Sequence, residues 1–525
     1  MSLTRKTFKH AAIYSMATVI GKLAGFLMLP FYAHIFQTKG FGIIALMDTG
    51  LGLLGVLLAG GFQTAILRIY HEQHDSHKKI VLGTGIRLVW GLSVLIVLLP
   101  FVFCIPLSHF IFGSGEYYPL ILLALLTLVI DVAGQSASTI LIIKQQSLVF
   151  SSISLLRLIV GISLNIWLVI ILGVGLIGVF ISSLGTALIC SLAFHIIAFR
   201  GHGFGFNRQI AVQLLRFQLP LLPGEIIAFL GRQAERVLVR MLIGLEGVGI
   251  LEMAYRFPPL LTLFITIPFQ RAWRTKSMEI AEEQDAPSTM SYMFSRYLFL
   301  MVFLGLIIAV TIQSILELLT PAVFWQATSI VQIEIITTIL AGCVTYLSFG
   351  ILYKKKTSIL SLIRSLLTPA KVLLGYLFIS AWGLLGAAYS ALIIEIITLV
   401  WIFIKAQGLY AIPLEYWKIV IIGVGASVLF LLLNAINYSD LGPAVYFREH
   451  LFFSLATFLQ GTSVGEWKSG KLVLLFQDKQ HQLMSLFFKA ILSLSFLTLM
   501  PFVWWQRSEP IVEGSTGEMD STNIR

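Results

Sequence analysis

Residues 80–107 read IVLGTGIRLVWGLSVLIVLLPFVFCIPL, an unbroken apolar run in which Arg87 is the single charge. As a helix this run is about 42 Å long at 1.5 Å per residue, which exceeds the roughly 30 Å hydrocarbon core of a bilayer. A soluble helix keeps a polar stripe for water, and this one has none. The stretch therefore reads as a membrane-crossing helix.

The chain repeats this pattern along most of its length. Apolar runs of similar kind lie near 11–34, 41–67, 118–143, 149–172, 175–199, 214–241, 248–269, 297–319, 323–352, 358–380, 382–404, 420–436 and 483–505. Together with 80–107 they predict about fourteen spans. Of 525 residues 58% are apolar and 12% charged, with a mean hydropathy of +0.92. A soluble fold needs roughly a quarter of its residues charged, so the composition excludes one and predicts an all-α polytopic membrane protein. Arg5, Lys6 and Lys9 precede the first run like a signal peptide's basic start, but no small-residue cleavage site follows, so an uncleaved first span is expected.

Thirty-six basic against 25 acidic residues leave a net charge of +11. In a polytopic protein that excess marks cytoplasmic loops and is no nucleic-acid footprint. With the N-terminus inside, the cytoplasmic segments carry Lys78, Lys79, Lys144, Arg200, Arg208, Arg271, Arg274, Lys354, Lys355, Lys356, Lys405 and Lys418, whereas the short outer loops hold little beyond Lys39 and Arg240. Both termini are then cytoplasmic, and the polar tail 506–525 reads as disordered. Segment 437–482, with apolar runs too short to span, reads as an interfacial insert on the outer face; a fifteenth crossing is the alternative.

Self-comparison exposes a repeat. At an offset of 207, Gly40, Gly42 and Ile43 fall on Gly247, Gly249 and Ile250, and Phe62, Gln63 and Ala65 fall on Phe269, Gln270 and Ala272. Ser151, Ser154, Leu155 and Arg157 fall on Ser358, Ser361, Leu362 and Arg364; at 208, Gly175 to Gly178 fall on Gly383 to Gly386. Apolar matches alone would arise by chance, but paired Arg, Gln and Gly positions would not. Two six-helix lobes, 1–206 and 207–410, are expected around a central cavity, followed by two further helices within 411–505.

Charges at membrane depth are costly and are turned inward, paired or used. Lys22 lies about 16 Å into the first span, on a stripe with Ser15, Thr18 and Gly25. Glu225, Arg232, Arg236 and Arg240 share one face of the seventh span, and Glu252 and Arg256 follow at i,i+4 spacing in the eighth. Snorkelling explains such cations equally well near an interface, but Lys22 and Arg232 are far from either surface, which favours a cavity. Lys22, Arg232, Arg236 and Arg256 would suit an anionic lipid-borne cargo, a diphosphate above all. Asp131 with Arg157, and Glu334 with Arg364 and Lys371, read as helix–helix ion pairs. Asp48, Asp131, Glu225, Glu252 and Glu395 are the acids available to a coupling ion. His71, His74 and His77 read as a solvated loop and not a metal site, and Cys104, Cys190 and Cys343 as small core residues. No P-loop or HExxH motif points to ATP drive or metal-dependent hydrolysis, and no cofactor or enzymatic activity is expected.

Lys22-Leu-Ala-Gly-Phe-Leu-Met-Leu-Pro30 with Tyr32, the Gly40-Phe41-Gly42 turn, Arg216-Phe-Gln-Leu-Pro220 with Pro223, and Gly247-Val-Gly-Ile250 leading to Ala254-Tyr255-Arg256 resemble the bacterial oligosaccharide flippases of the polysaccharide transporter family. That family shares a superfamily with multidrug-and-toxin antiporters and lipid II flippases. The resemblance covers about the first 435 residues. It implies a bacterial inner-membrane transporter that moves an undecaprenyl-pyrophosphate-linked sugar unit to the outer leaflet, driven by H+ or Na+. Products such as O-antigen or exopolysaccharide follow from it, as do a polysaccharide polymerase and chain-length machinery as partners. A multidrug antiporter on the same fold is one alternative, disfavoured by the basic bias of the first span in each lobe. A membrane glycosyltransferase or O-antigen polymerase is the other; its only catalytic loop would be 437–482.

Overall fold

The computed structural model describes residues 2–59, 61–73, 75–199, 205–435 and 480–504. The insert up to residue 479, the tail 506–525 and His74 lie outside the described residues; His71 and His77, expected in a loop, fall instead within helices. Every regular element among the described residues is helical. The first seven helices are α1 (Ser2–Ala59), α2 (Phe62–Glu72), α3 (Asp75–Val102), α4 (Cys104–Phe112), α5 (Tyr118–Ile143), α6 (Ser147–Asn165) and α7 (Leu176–Phe199). Then come α8 (Arg208–Gln218), α9 (Leu222–Leu242), α10 (Leu245–Ala254), α11 (Pro259–Leu261), α12 (Ile267–Ile280), α13 (Ala286–Leu319), α14 (Ala327–Leu347), α15 (Phe349–Tyr353), α16 (Ser358–Trp382) and α17 (Leu384–Gln407). The chain closes with α18 (Tyr416–Ala435), α19 (Gln480–Ser493) and α20 (Met500–Trp504). Large apolar side chains such as Leu99 and Phe110 stand exposed on the bundle's flanks, as a lipid-facing surface requires.

Among the described residues twelve helices are long and apolar enough to cross a membrane, or thirteen if the bent pair α8–α9 is one span. The chain is thus a multi-pass membrane protein. The expected fourteen are not reached by this count, partly because the first two predicted spans are run together in α1, which is broken at Gln37 (φ 50°, ψ −162°). Proline explains two other departures. The predicted run 80–107 divides at Phe103 between α3 and α4, where Pro106 has no N–H for the Val102 carbonyl. The seventh predicted span bends by 47° between α8 and α9, at Pro220.

The repeat is visible in backbone packing. A Cβ on Gly42 would stand 2.0 Å from the Leu245 carbonyl oxygen, and one on Gly249 would stand 1.9 Å from the Thr38 carbonyl oxygen. Thr38 and Leu245 are 207 apart, as are Gly42 and Gly249. Each segment thus gives the other the contact it receives, the signature of a two-fold relation. The breaks obey the same offset, for Gln37 and Gly244 both have positive φ, at 50° and 116°. Only a hydrogen at the glycine α-carbons permits this approach. The same end of the bundle is tied by Arg240, whose Nε donates to the Ile111 carbonyl at 2.9 Å, and by Phe41 packed edge-on against Phe324 with ring centres 5.3 Å apart.

The C-terminal helices seat on α13. Phe299, Leu306 and Val310 form a separate core with Ile422, Leu433, Phe496 and Val503. Lys418, expected in a solvated loop, is instead buried. Its Nζ pairs with Glu415 at 2.6 Å, and Glu415 accepts from Ser295 at 2.7 Å. The three cysteines are buried and unpaired.

Candidate functional site

Two charged groups stand out among the helices, one of them where the repeats meet. In the first, Arg236 on α9 holds Glu252 on α10, its terminal nitrogen 2.8 Å and its Nε 2.9 Å from the same carboxylate oxygen. Arg236 also donates to Gln233 and lies 5.3 Å from the centre of the Tyr255 ring. Arg256 stacks its guanidinium 5.1 Å from the centre of the Phe41 ring, across the repeats. Its Nε is buried with no hydrogen-bond partner, and a buried donor of that kind asks for an acceptor. Asp48 on α1 lies within Coulombic reach of Glu252, Arg256 and Arg236, yet its side chain is accessible. These groups therefore border open space and not a sealed core. Arg232, one turn before Arg236, is exposed with its guanidinium 5.9 Å from the centre of the Phe229 ring. Two guanidiniums, of Arg236 and Arg256, thus face two carboxylates, and the unmet Arg256 donor is what asks for an anion.

The second group lies within the second repeat. Glu235 pairs with Lys371 on α16 at 2.9 Å and accepts the Tyr255 hydroxyl. Glu334 on α14 interacts electrostatically with Glu235, Lys371 and Glu395; its Oε1 is buried without a hydrogen-bond partner. Arg364, on the exposed side of α16, reaches Glu395. Glu395 is half-buried on α17. The acids thus outnumber the ammonium that they surround.

The residues singled out in the sequence divide accordingly. Asp48, Arg236, Glu252 and Arg256 come together, and Glu395 joins the second group. Asp131 stands apart on α5, paired with Arg157 at 2.7 Å. Glu225 is half-buried in the first turn of α9, where the helix dipole favours an acid. Lys22 is on α1, and its side chain lies outside the described residues. Glu334 and Lys371 interact electrostatically, but the direct ion pair of Lys371 is with Glu235. Sequence reasoning missed Glu235 because it sits beside the basic face of its helix. The available signal was Lys371, a buried cation in need of a counter-charge. No metal-holding group of His, Cys, Asp or Glu occurs among the described residues.

Comparison with known proteins bears on both fold and family. Over 93% of this chain and 100% of its own, the structure of lipid II flippase MurJ in an inward closed conformation superimposes with a TM-score of 0.68 at 14% identity. An inward-facing multidrug resistance MATE family transporter of the MOP superfamily superimposes with a TM-score of 0.53 at 16% identity, covering 74% of this chain and 94% of that one. These likenesses establish the helical fold. The lipid III flippase of Escherichia coli strain K12 is 29% identical over 119 residues, 22% of this chain and 29% of that protein; the match thus spans under a third of that relative. The family described as polysaccharide biosynthesis protein matches residues 7–274, a shorter stretch than the 435 residues over which the motifs were read. Matched over just above half its length, the chain belongs to the polysaccharide biosynthesis protein family.

Proposed function

We propose that the protein is a transporter that carries a polyprenyl-pyrophosphate-linked oligosaccharide from the inner to the outer leaflet of a bacterial inner membrane, by alternating access between its two repeats. The observation that carries this reading is Arg256. Its guanidinium bridges the repeats over Phe41 and retains an unpartnered buried Nε, beside space that Asp48 shows to be accessible. A phosphate oxygen supplies the acceptor that this donor lacks, and Arg232, Arg236 and Lys22 add charge to hold a diphosphate. In this reading the N-terminus is cytoplasmic and the contact of Gly42 and Gly249 closes the outer end, so the cargo loads from inside.

The coupling ion in this reading is a proton, carried by the group around Glu235, Glu334 and Lys371. Three acids around one ammonium leave a place for it, and exchanging it alters the charge that holds α9, α14 and α16 together. Membership in a polysaccharide biosynthesis family supports a cargo destined for surface glycan such as O-antigen, with a polymerase and chain-length machinery acting next. A drug antiporter would share the fold but selects cations, against the unpartnered Arg256 guanidinium donor here.

Arg256→Ala in a deletion strain should lower surface glycan by about tenfold or more, the scale of a lost charged contact, with insertion intact. Arg256→Lys, which keeps charge but loses the planar fork, should fall between. Undiminished export by the alanine variant, at equal protein level, overturns the clamp.

A further inference from the structure

Helix α13 (Ala286–Leu319) is about 51 Å long at 1.5 Å per residue, well beyond the roughly 30 Å of a hydrocarbon core. Its apolar run begins at Tyr297, so Arg296 stands where the helix leaves the membrane. Rings from three helices gather there. Tyr292 comes from α13, Trp417 from the start of α18 and Trp504 from the end of α20, and Tyr and Trp at one level mark a bilayer interface.

The guanidinium of Arg296 is held between two of these rings, 3.5 Å from the centre of Tyr292 and 5.0 Å from that of Trp504. The Tyr292 hydroxyl donates to the Trp504 carbonyl at 3.0 Å, which ties the two walls together. Ring faces hold a cation but leave the N–H groups in its plane to find acceptors elsewhere. The Arg296 Nε is buried with no such acceptor. Glu415, the acid within Coulombic reach, is already committed, with one oxygen 2.6 Å from the Lys418 Nζ and the other accepting from Ser295 at 2.7 Å. Arg296, Lys418 and Glu415 together leave one positive charge uncompensated. An arginine that merely snorkelled would hydrate all its donors, whereas here the Nε is dry and the plane of the fork is set by the rings. The residue as a whole is only half-buried, and Leu300, one turn further along the same face, is exposed. A ligand with a single negative charge and an apolar chain fits this edge.

We propose that Arg296, set between Tyr292 and Trp504, binds the phosphodiester of an anionic membrane phospholipid whose acyl chain lies along Leu300. The site clamps the C-terminal helices α18 and α20 to α13 and stands apart from the charges assigned to the cargo, so it does not rest on the transport reading.

The test uses the full-length protein in detergent, titrated by native mass spectrometry with phosphatidylglycerol or with phosphatidylcholine of the same acyl chains. Wild type should bind its first phosphatidylglycerol about fivefold more tightly, the scale of one basic residue facing an anionic lipid. Arg296→Gln should bind both lipids equally. Arg296→Lys, which keeps the charge but loses the planar fork, should fall between and reports on the site should the glutamine variant fail to fold. Lys356→Gln, at an exposed basic position away from these rings, should retain the wild-type preference. No preference in wild type, full preference in both Arg296 variants, or an equal loss in Lys356→Gln, which would mean diffuse surface charge, overturns the site. Competition by glycerol 3-phosphate at the same concentration as the lipid would assign the arginine to a soluble phosphate and overturn the lipid.

Discussion

Glu235 and Arg236 are neighbours in the chain that serve different groups. A step of 100° around α9 sends Arg236 to Glu252 and Glu235 to Lys371. The basic stripe of α9 was legible because its spacing is regular. Its charge balance was not, since pairing depends on helices distant in sequence. Lys371 is 22% and Glu235 5% exposed, so removing one partner leaves the other buried and uncompensated. Lys371→Met should therefore destabilise the protein by about 3–5 kcal/mol. The double variant Glu235→Gln, Lys371→Met should recover most of that loss, read as thermal stability in detergent. A double variant as unstable as the single would contradict the pairing. In the same pair of proteins, transport should respond less to a proton gradient than in wild type even where stability is restored.

At the scale of elements, apolar runs located most helices, and proline decided where they break. Pro106 and Pro220 are plain in the sequence, yet a run of hydropathy hides their effect, so 80–107 and 214–241 each read as one span where the chain makes two helices. The close approach of α1 and α10 was half legible: the repeat aligned Gly42 with Gly249, but their contact is a property of the folded backbone. A methyl group at Gly42 would fall 2.0 Å from a backbone oxygen that has no rotamer with which to escape. Gly42→Ala should therefore open this end of the bundle. Spin labels at Lys39→Cys and Glu246→Cys, exposed positions 207 apart beside the contact, report the change in a background without native cysteines. Each 1.4 kcal/mol of clash shifts the populations about tenfold, so the main distance should move to a longer one. An unchanged distribution would show that the glycines do not hold this end closed.

Across the whole molecule, composition predicted the multi-pass helical class, and the 207-residue repeat aligned the glycines that meet in the folded chain. Both are distributed over many residues and tolerate error at any one. The site rests on a few side chains whose partners come from α1, α9, α10, α14, α16 and α17, so its charges could be named in sequence more readily than they could be paired. The proposed alternating access requires the contact at Gly42 and Gly249 to part as the repeats close at their other end. The central claim is that such motion carries a lipid-linked sugar across the membrane. Its most direct measurement uses vesicles reconstituted with the purified protein and a fluorescent polyprenyl-pyrophosphate oligosaccharide, with a membrane-impermeant quencher added to follow the label's exposure over time. Movement should depend on the protein, accelerate when the side bearing Gly42 and Gly249 is acidified, and slow by about tenfold or more with Arg256→Ala. Exposure no faster than in protein-free vesicles, or elongation of the glycan without movement, would contradict it.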